Sequence, residues 1–140
     1  GIDEFREYYW TDEFADDLVA TLRLGGRFEQ GAFWAPYTQY PLPDDLDPFT
    51  HAVAISDRVL VYDRPDGEPF AVLSHDVVEV VDWSAPDLPF EAAQRWVHIR
   101  LANGGEGVVS AAEVRSPLDL RVWFEKIDGR WILRGWAAGD

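Results

Sequence analysis

The stretch HAVAISDRVLVYDRPDGEPFAVLSHDVVEVV, residues 51–81, decides the fold class. Short apolar runs at 52–55, 59–62, 70–73 and 77–81 alternate with turn residues, Pro65-Asp66-Gly67 and Ser74-His75-Asp76. Runs of this length, rich in Val and punctuated by Gly, Pro and Asp, read as strands rather than helices. The pattern continues at 96–101, at 107–110 and in a short piece near Val114, with turn signals in the loop 86–89 and at Asn103-Gly104-Gly105. Several short strands at regular spacing predict a small barrel or sandwich.

Toward the C-terminus, segments 118–126 and 130–136 flank Ile127-Asp128-Gly129. Asp-Gly between two apolar, aromatic runs predicts a β-hairpin. Toward the N-terminus, Pro36, Pro41, Pro43 and Pro48 forbid a long regular element and predict an aromatic-rich connector. Before it, residues 11–24 predict a helix. Thr11 can cap it, Asp12, Glu13, Asp16 and Asp17 suit its N-terminal half, and Arg23 suits its end. Phe14, Leu18 and Leu22, with Val19, form the expected apolar stripe, and Gly25-Gly26 stops the helix. Residues 28–34 fit either a short helix or an extended segment. The fold expected is mainly β, α+β overall. A small barrel over 51–115 follows a helical, aromatic extension over 1–50, and the hairpin within 116–140 packs with that extension.

Composition narrows the function. The chain has 140 residues with 47% hydrophobic and 14% aromatic residues, too apolar for a disordered tail and of single-domain size. Its 26 acids outweigh 12 bases, giving a formal charge of −14. That field repels phosphate backbones, so no nucleic-acid partner is expected. It suits a solvated acidic surface or steering toward a basic partner. The charge is uneven: residues 1–50 hold 11 acids and 3 bases, residues 51–114 hold 11 and 4, and residues 115–140 hold 4 and 5. No apolar run reaches the ~20 residues of a membrane-spanning helix, so no transmembrane segment is expected.

The absence of Cys excludes disulfides, thiolate metal sites and Cys nucleophiles. It is compatible with the cytoplasm and with the periplasm. The opening Gly1 and the acidic Asp3, Glu4 and Glu7 are not a signal peptide. His51, His75 and His98 lack zinc-site spacing, and no Ser lies in a Gly-x-Ser-x-Gly motif. The glycine-rich pieces at 23–27 and 103–107 lack P-loop residues. Asp44, Asp45 and Asp47 lack the glycine and terminal Glu of a calcium loop. No cofactor, metal or enzymatic activity is therefore expected. Alternation sets His98 and Arg100 on the outward face of their strand, opposite Val97 and Ile99. Trp96, Phe124 and Trp131 are expected in the core.

Residues 52–115 resemble the bacterial SH3-like (SH3b) domain family. The resemblance rests on Val59-Leu60-Val61-Tyr62-Asp63-Arg64-Pro65, on the strand pair within residues 71–80, on Trp96-Val97-His98-Ile99-Arg100, on Gly107-Val108-Val109, and on Ala112-Glu113-Val114. Leu60, Tyr62 and Val108 stand where the family usually has Asn, Arg and Trp. The flanks are similar to accessory parts of uncharacterised SH3-containing bacterial envelope proteins. The resemblance implies a non-catalytic module binding a peptide, a protein or peptidoglycan, in the periplasm or cell envelope after loss of a leader. It implies a ligand contact in the long loop that Trp83 opens. Trp83 with Asp82, Asp87 and Glu91 makes an aromatic patch with acidic neighbours, suited to a cationic peptide or to the amino groups of a peptidoglycan stem. Tyr62, Tyr37 and Tyr40 complete the candidate contact residues. The alternative is an acidic inhibitor-like protein that masks a basic partner surface.

Overall fold

The computed structural model describes residues 11–37, 45–85 and 87–139. The fold is mainly β, with two antiparallel sheets in two compact units. One unit joins residues 1–40 to residues 118–140, and the other spans residues 41–117.

In the first unit, helix α1 runs over Asp12–Arg23. The Phe14 amide donates to Thr11 Oγ1 at 3.0 Å, which satisfies one of the free N–H groups of the first turn. Gly25 ends it with φ +79°, its amide donating to Leu22 O at 3.0 Å. The buried stripe is narrower than expected. Phe14 and Leu18 pack on the core, but Leu22 and Val19 remain exposed, while Thr21 is fully buried. At 3.6 residues per turn, Thr21 lies within about 20° of Phe14 and Leu22 about 80° from it. The Thr21 hydroxyl donates to Asp17 O at 2.7 Å, so its burial leaves the hydroxyl bonded.

Residues 28–34 are extended. Strands β1 (Arg27–Glu29) and β2 (Ala32–Ala35) form a hairpin across Gln30-Gly31, both with positive φ. Such turns match the right-handed twist of the strands they join. The C-terminal hairpin forms the same way. Strands β10 (Arg121–Ile127) and β11 (Arg130–Ala137) meet across Asp128-Gly129, again with positive φ at both. The sheet order is β1-β2-β10-β11. Ala35, Leu120 and Val122 form the buried centre, with Phe14, Leu18, Phe33, Phe124 and Leu133 packed around it. Trp131 departs from the expected core position and is 47% exposed. It sits beside the hairpin turn, at the margin of the core, with the exposed Phe28 ring 5.6 Å away.

In the second unit, the strands are β3 (His51–Ala54), β4 (Val59–Tyr62), β5 (Pro69–Leu73), β6 (Val77–Asp82), β7 (Trp96–Arg100), β8 (Glu106–Ser110) and β9 (Val114–Arg115). A four-residue helix α2 (Phe90–Ala93) lies in the loop before β7, and a 3-10 helix (Ala111–Glu113) links β8 to β9. Strands β6, β7 and β8 form a meander, β3 pairs with both β6 and β9, and the hairpin β4-β5 joins β8 through β4. Val59, Val61, Val97, Ile99 and Val109 fill the core.

The order β5-β4-β8-β7-β6-β3-β9 leaves two free ends, so the sheet is not a closed barrel. Strand β9 has only two residues, too few to carry the ladder around to the other edge. Strand β4 meets β8 at the single pair Tyr62–Val108.

Candidate functional site

The outward face of β4, β8 and β7 carries the densest chemistry of the second unit. Register sets Tyr62 opposite Val108, and Val108 opposite His98, in one row across three strands. Alternation buries Val97 and Ile99 and turns His98 and Arg100 outward, as the sequence indicates, but it turns Trp96 outward with them. Trp96 is therefore half-buried rather than a core residue. Its ring meets the Tyr62 ring edge to face, with centroids 5.7 Å apart and planes at 84°.

Gly107 permits this approach. A Cβ there would lie 2.7 Å from Val61 Cγ1 and 2.8 Å from Tyr62 O. Glycine is thus required by the closeness of β4 to β8, not by a positive φ.

Beside the row lies a cleft of about 290 Å³. Asp63, Arg64 and Pro65 border it from the β4-β5 turn, Asp87 from the long loop, and His98 and Glu106 from the sheet. The Glu68 amide donates to Asp63 Oδ1 at 3.0 Å, which braces the turn. His98 Nε2 and Glu106 Oε1 are 2.9 Å apart. Asp87 holds φ +66°, a left-handed conformation that Asp tolerates better than most residues. Three carboxylates thus converge beside an aromatic pair, with Arg64 the cation at the rim.

The expected contact residues separate. Tyr62 and Asp87 reach this face or its cleft. Trp83 is 40% exposed and donates Nε1–H to Phe49 O at 3.1 Å, outside the residues bordering the cleft. Asp82 Oδ1 accepts from the Ser84 amide at 3.0 Å and the Ser84 hydroxyl at 3.2 Å, so it shapes its own loop. Glu91 is exposed on α2. Tyr37 belongs to the other unit. Its amide donates to Gly25 O at 2.6 Å, and burial raises its phenol pKa above the ordinary value. Tyr40 lies outside the described residues. The residues that sequence reading missed are Trp96, Asp63, Arg64 and Glu106. Alternation already pointed His98 outward, but the approach of Glu106 depends on the β7-β8 register.

A second cleft, of about 660 Å³, lies elsewhere in this unit, between Leu46, His51, Asp76, Glu79, Arg100 and the 102–104 turn. Its polar groups already have partners within the protein. Arg100 Nη1 meets Glu79 Oε1 at 2.8 Å, and His51 Nδ1 bonds Asp47 O at 2.9 Å. It offers fewer free charges to a ligand than the smaller cleft. Among the described residues, no group of three potential ligands gathers for a metal ion, and no helix is long and apolar enough to cross a membrane.

No family model, no curated protein and no solved structure matches this chain. The assignment therefore rests on the geometry of the cleft.

Proposed function

We propose that the chain is a non-catalytic, SH3-like binding module of the bacterial envelope whose cleft takes a cationic, peptide-like ligand: a peptide, a segment of a protein, or the amine-bearing stem of peptidoglycan. Support for the SH3-like part is the succession of elements. A first strand, a long hairpin, a three-stranded meander, a 3-10 helix and a short last strand follow one another in the order on which the sequence resemblance rests.

The observation that carries the binding reading is the cleft itself. Asp63, Asp87 and Glu106 come together beside the Tyr62–Trp96 pair, with His98 and Arg64 as the basic side chains that border it among the described residues. A ligand ammonium or guanidinium would gain charge-assisted hydrogen bonds there, and the aromatic pair would cover its apolar part.

The test is co-sedimentation of the protein with isolated peptidoglycan sacculi at low and high salt. The reading expects pelleting that persists in good part at high salt and falls in an Asp87→Asn, Glu106→Gln double variant. No pelleting at either salt overturns wall binding. The charge of −14 favours a second reading, in which the acidic surface masks a basic protein. Binding to a basic protein that salt abolishes, without any binding to sacculi, would select it.

A further inference from the structure

The first unit carries an apolar groove that the proposed function leaves unused. Leu22, Phe28, Phe33, Phe124 and Trp131 line about 260 Å³ beside the end of α1. Phe28 lies 5.1 Å from Phe33 and 5.6 Å from Trp131, centroid to centroid, yet is 73% exposed. Burial of such a surface in a partner removes apolar area from water, and exposed clusters of this kind mark interaction sites.

One cation stands at the groove, in a chain that is mostly acidic. Lys126 Nζ lies 6.0 Å from the Trp131 ring centroid, on the strand position paired with Trp131. Among the described residues, Lys126 has no ion pair. Glu125, next to it in the chain, is already paired with Arg134. The occupant that this charge selects is apolar and acidic.

The chain itself supplies one. Residues 87–91 read Asp-Leu-Pro-Phe-Glu, with two acids and no base. Phe90 is 76% exposed, the most among the large apolar side chains of the described residues, and Leu88 nearby is 37% exposed. A phenyl ring next to a carboxylate complements an aromatic groove with an ammonium group beside it.

We infer that the Phe90 loop of one copy docks into the Phe28–Trp131 groove of a second copy, with Glu91 facing Lys126. The contact is head to tail, because knob and groove are different surfaces of the same chain, and it can therefore extend beyond a pair. This inference does not depend on the cleft reading, since Phe90 and Phe28 do not border that cleft.

The experiment is sedimentation velocity across concentration, with Phe90→Ser and Phe28→Ser variants alone and mixed. Both side chains are exposed, so both variants keep the wild-type far-UV circular dichroism. The wild type forms species larger than the monomer that grow with concentration. Each variant alone associates roughly tenfold more weakly or worse, as loss of a central aromatic anchor does. An equimolar mixture forms a dimer that grows no further, because one variant keeps the groove and the other keeps the knob. A second pair, Lys126→Glu with Glu91→Lys, likewise associates only when mixed. A wild type that stays monomeric at low salt overturns the inference. So does association that either Ser variant leaves unchanged, or that mixing does not restore.

Discussion

His98 Nε2 lies 2.9 Å from Glu106 Oε1, diagonally across the β7-β8 ladder, where His98 faces Val108 and Glu106 faces Arg100. The contact joins the only histidine at the cleft to one of its three carboxylates. The Glu106 side chain is 45% exposed, so the pair contributes little to folding. It fixes the direction of the Glu106 carboxylate at the border of the cleft. Replacing Glu106 with Gln is expected to change unfolding free energy by less than ~0.5 kcal/mol. Binding of a Lys- or Arg-containing peptide is expected to weaken by about tenfold, the loss of one charge-assisted hydrogen bond. Urea denaturation and calorimetric titration read the two quantities separately.

Gly107→Ala is expected to do the opposite and act on stability first. The new methyl would meet Val61 Cγ1 and the Tyr62 carbonyl, neither of which is the free end of a flexible chain. Over-packing of this kind costs ~1–3 kcal/mol. The β4-β5 hairpin would move away from β8, and the Tyr62–Trp96 edge contact would loosen, visible as a change in near-UV circular dichroism.

Thr11→Ala removes the side-chain oxygen that accepts the Phe14 amide. The expected cost is ~1 kcal/mol, confined to the first unit. Thr11→Asp should restore most of it, since Asp caps as well and favours the positive end of the helix. Hydrogen exchange of the α1 amides is the measurement, with residues of the second unit as the internal reference.

Tyr37 gives the alkaline limb of stability a direction. Burial favours its neutral phenol and raises its pKa from the ordinary value of 10.0. The folded state then holds the proton more tightly than the unfolded chain does. Its contribution is fully present below the unfolded pKa and is lost as pH rises through the folded one. The first unit should weaken above about pH 10, and Tyr37→Phe should flatten that decline in melts taken at stepped pH.

The parts of this architecture legible in sequence are those written locally. Thr11, the acids after it and Gly25 are next to the helix ends they set, and Asp128-Gly129 carries the conformation its turn requires. The first hairpin was harder, because Gln30-Gly31 is a weaker turn signal between strands of three and four residues. The helix face misled through one residue. Thr21 is polar in type, yet its hydroxyl bonds Asp17 O and the side chain takes the buried position that Leu22 was expected to hold. Trp131 shows the same limit at larger scale. An apolar residue in a strand pattern belongs inside only if another element covers it, and no local pattern states where α1 ends relative to β11. At the cleft, the outward direction of His98 followed from alternation, but its meeting with Glu106 required the register of two strands. Asp87 of the long loop borders the cleft, whereas Trp83 at the start of that loop is tied to Phe49 O, a contact 34 residues away in sequence.

The four-stranded sheet pairs β2 with β10, Ala35 with Val122, across the whole intervening unit. Residues 41–117, with all their strand partners, therefore emerge from a ribosome before β10 and β11 do. The second unit can complete its sheet during synthesis, while β1, β2 and α1 wait with an apolar face unpaired. Closing so distant a pair costs chain entropy that a prefolded insert reduces, by holding much of the connecting chain in a fixed form. The order of assembly is thus written into the topology: the inserted unit first, and the split unit only once the last twenty-odd residues arrive.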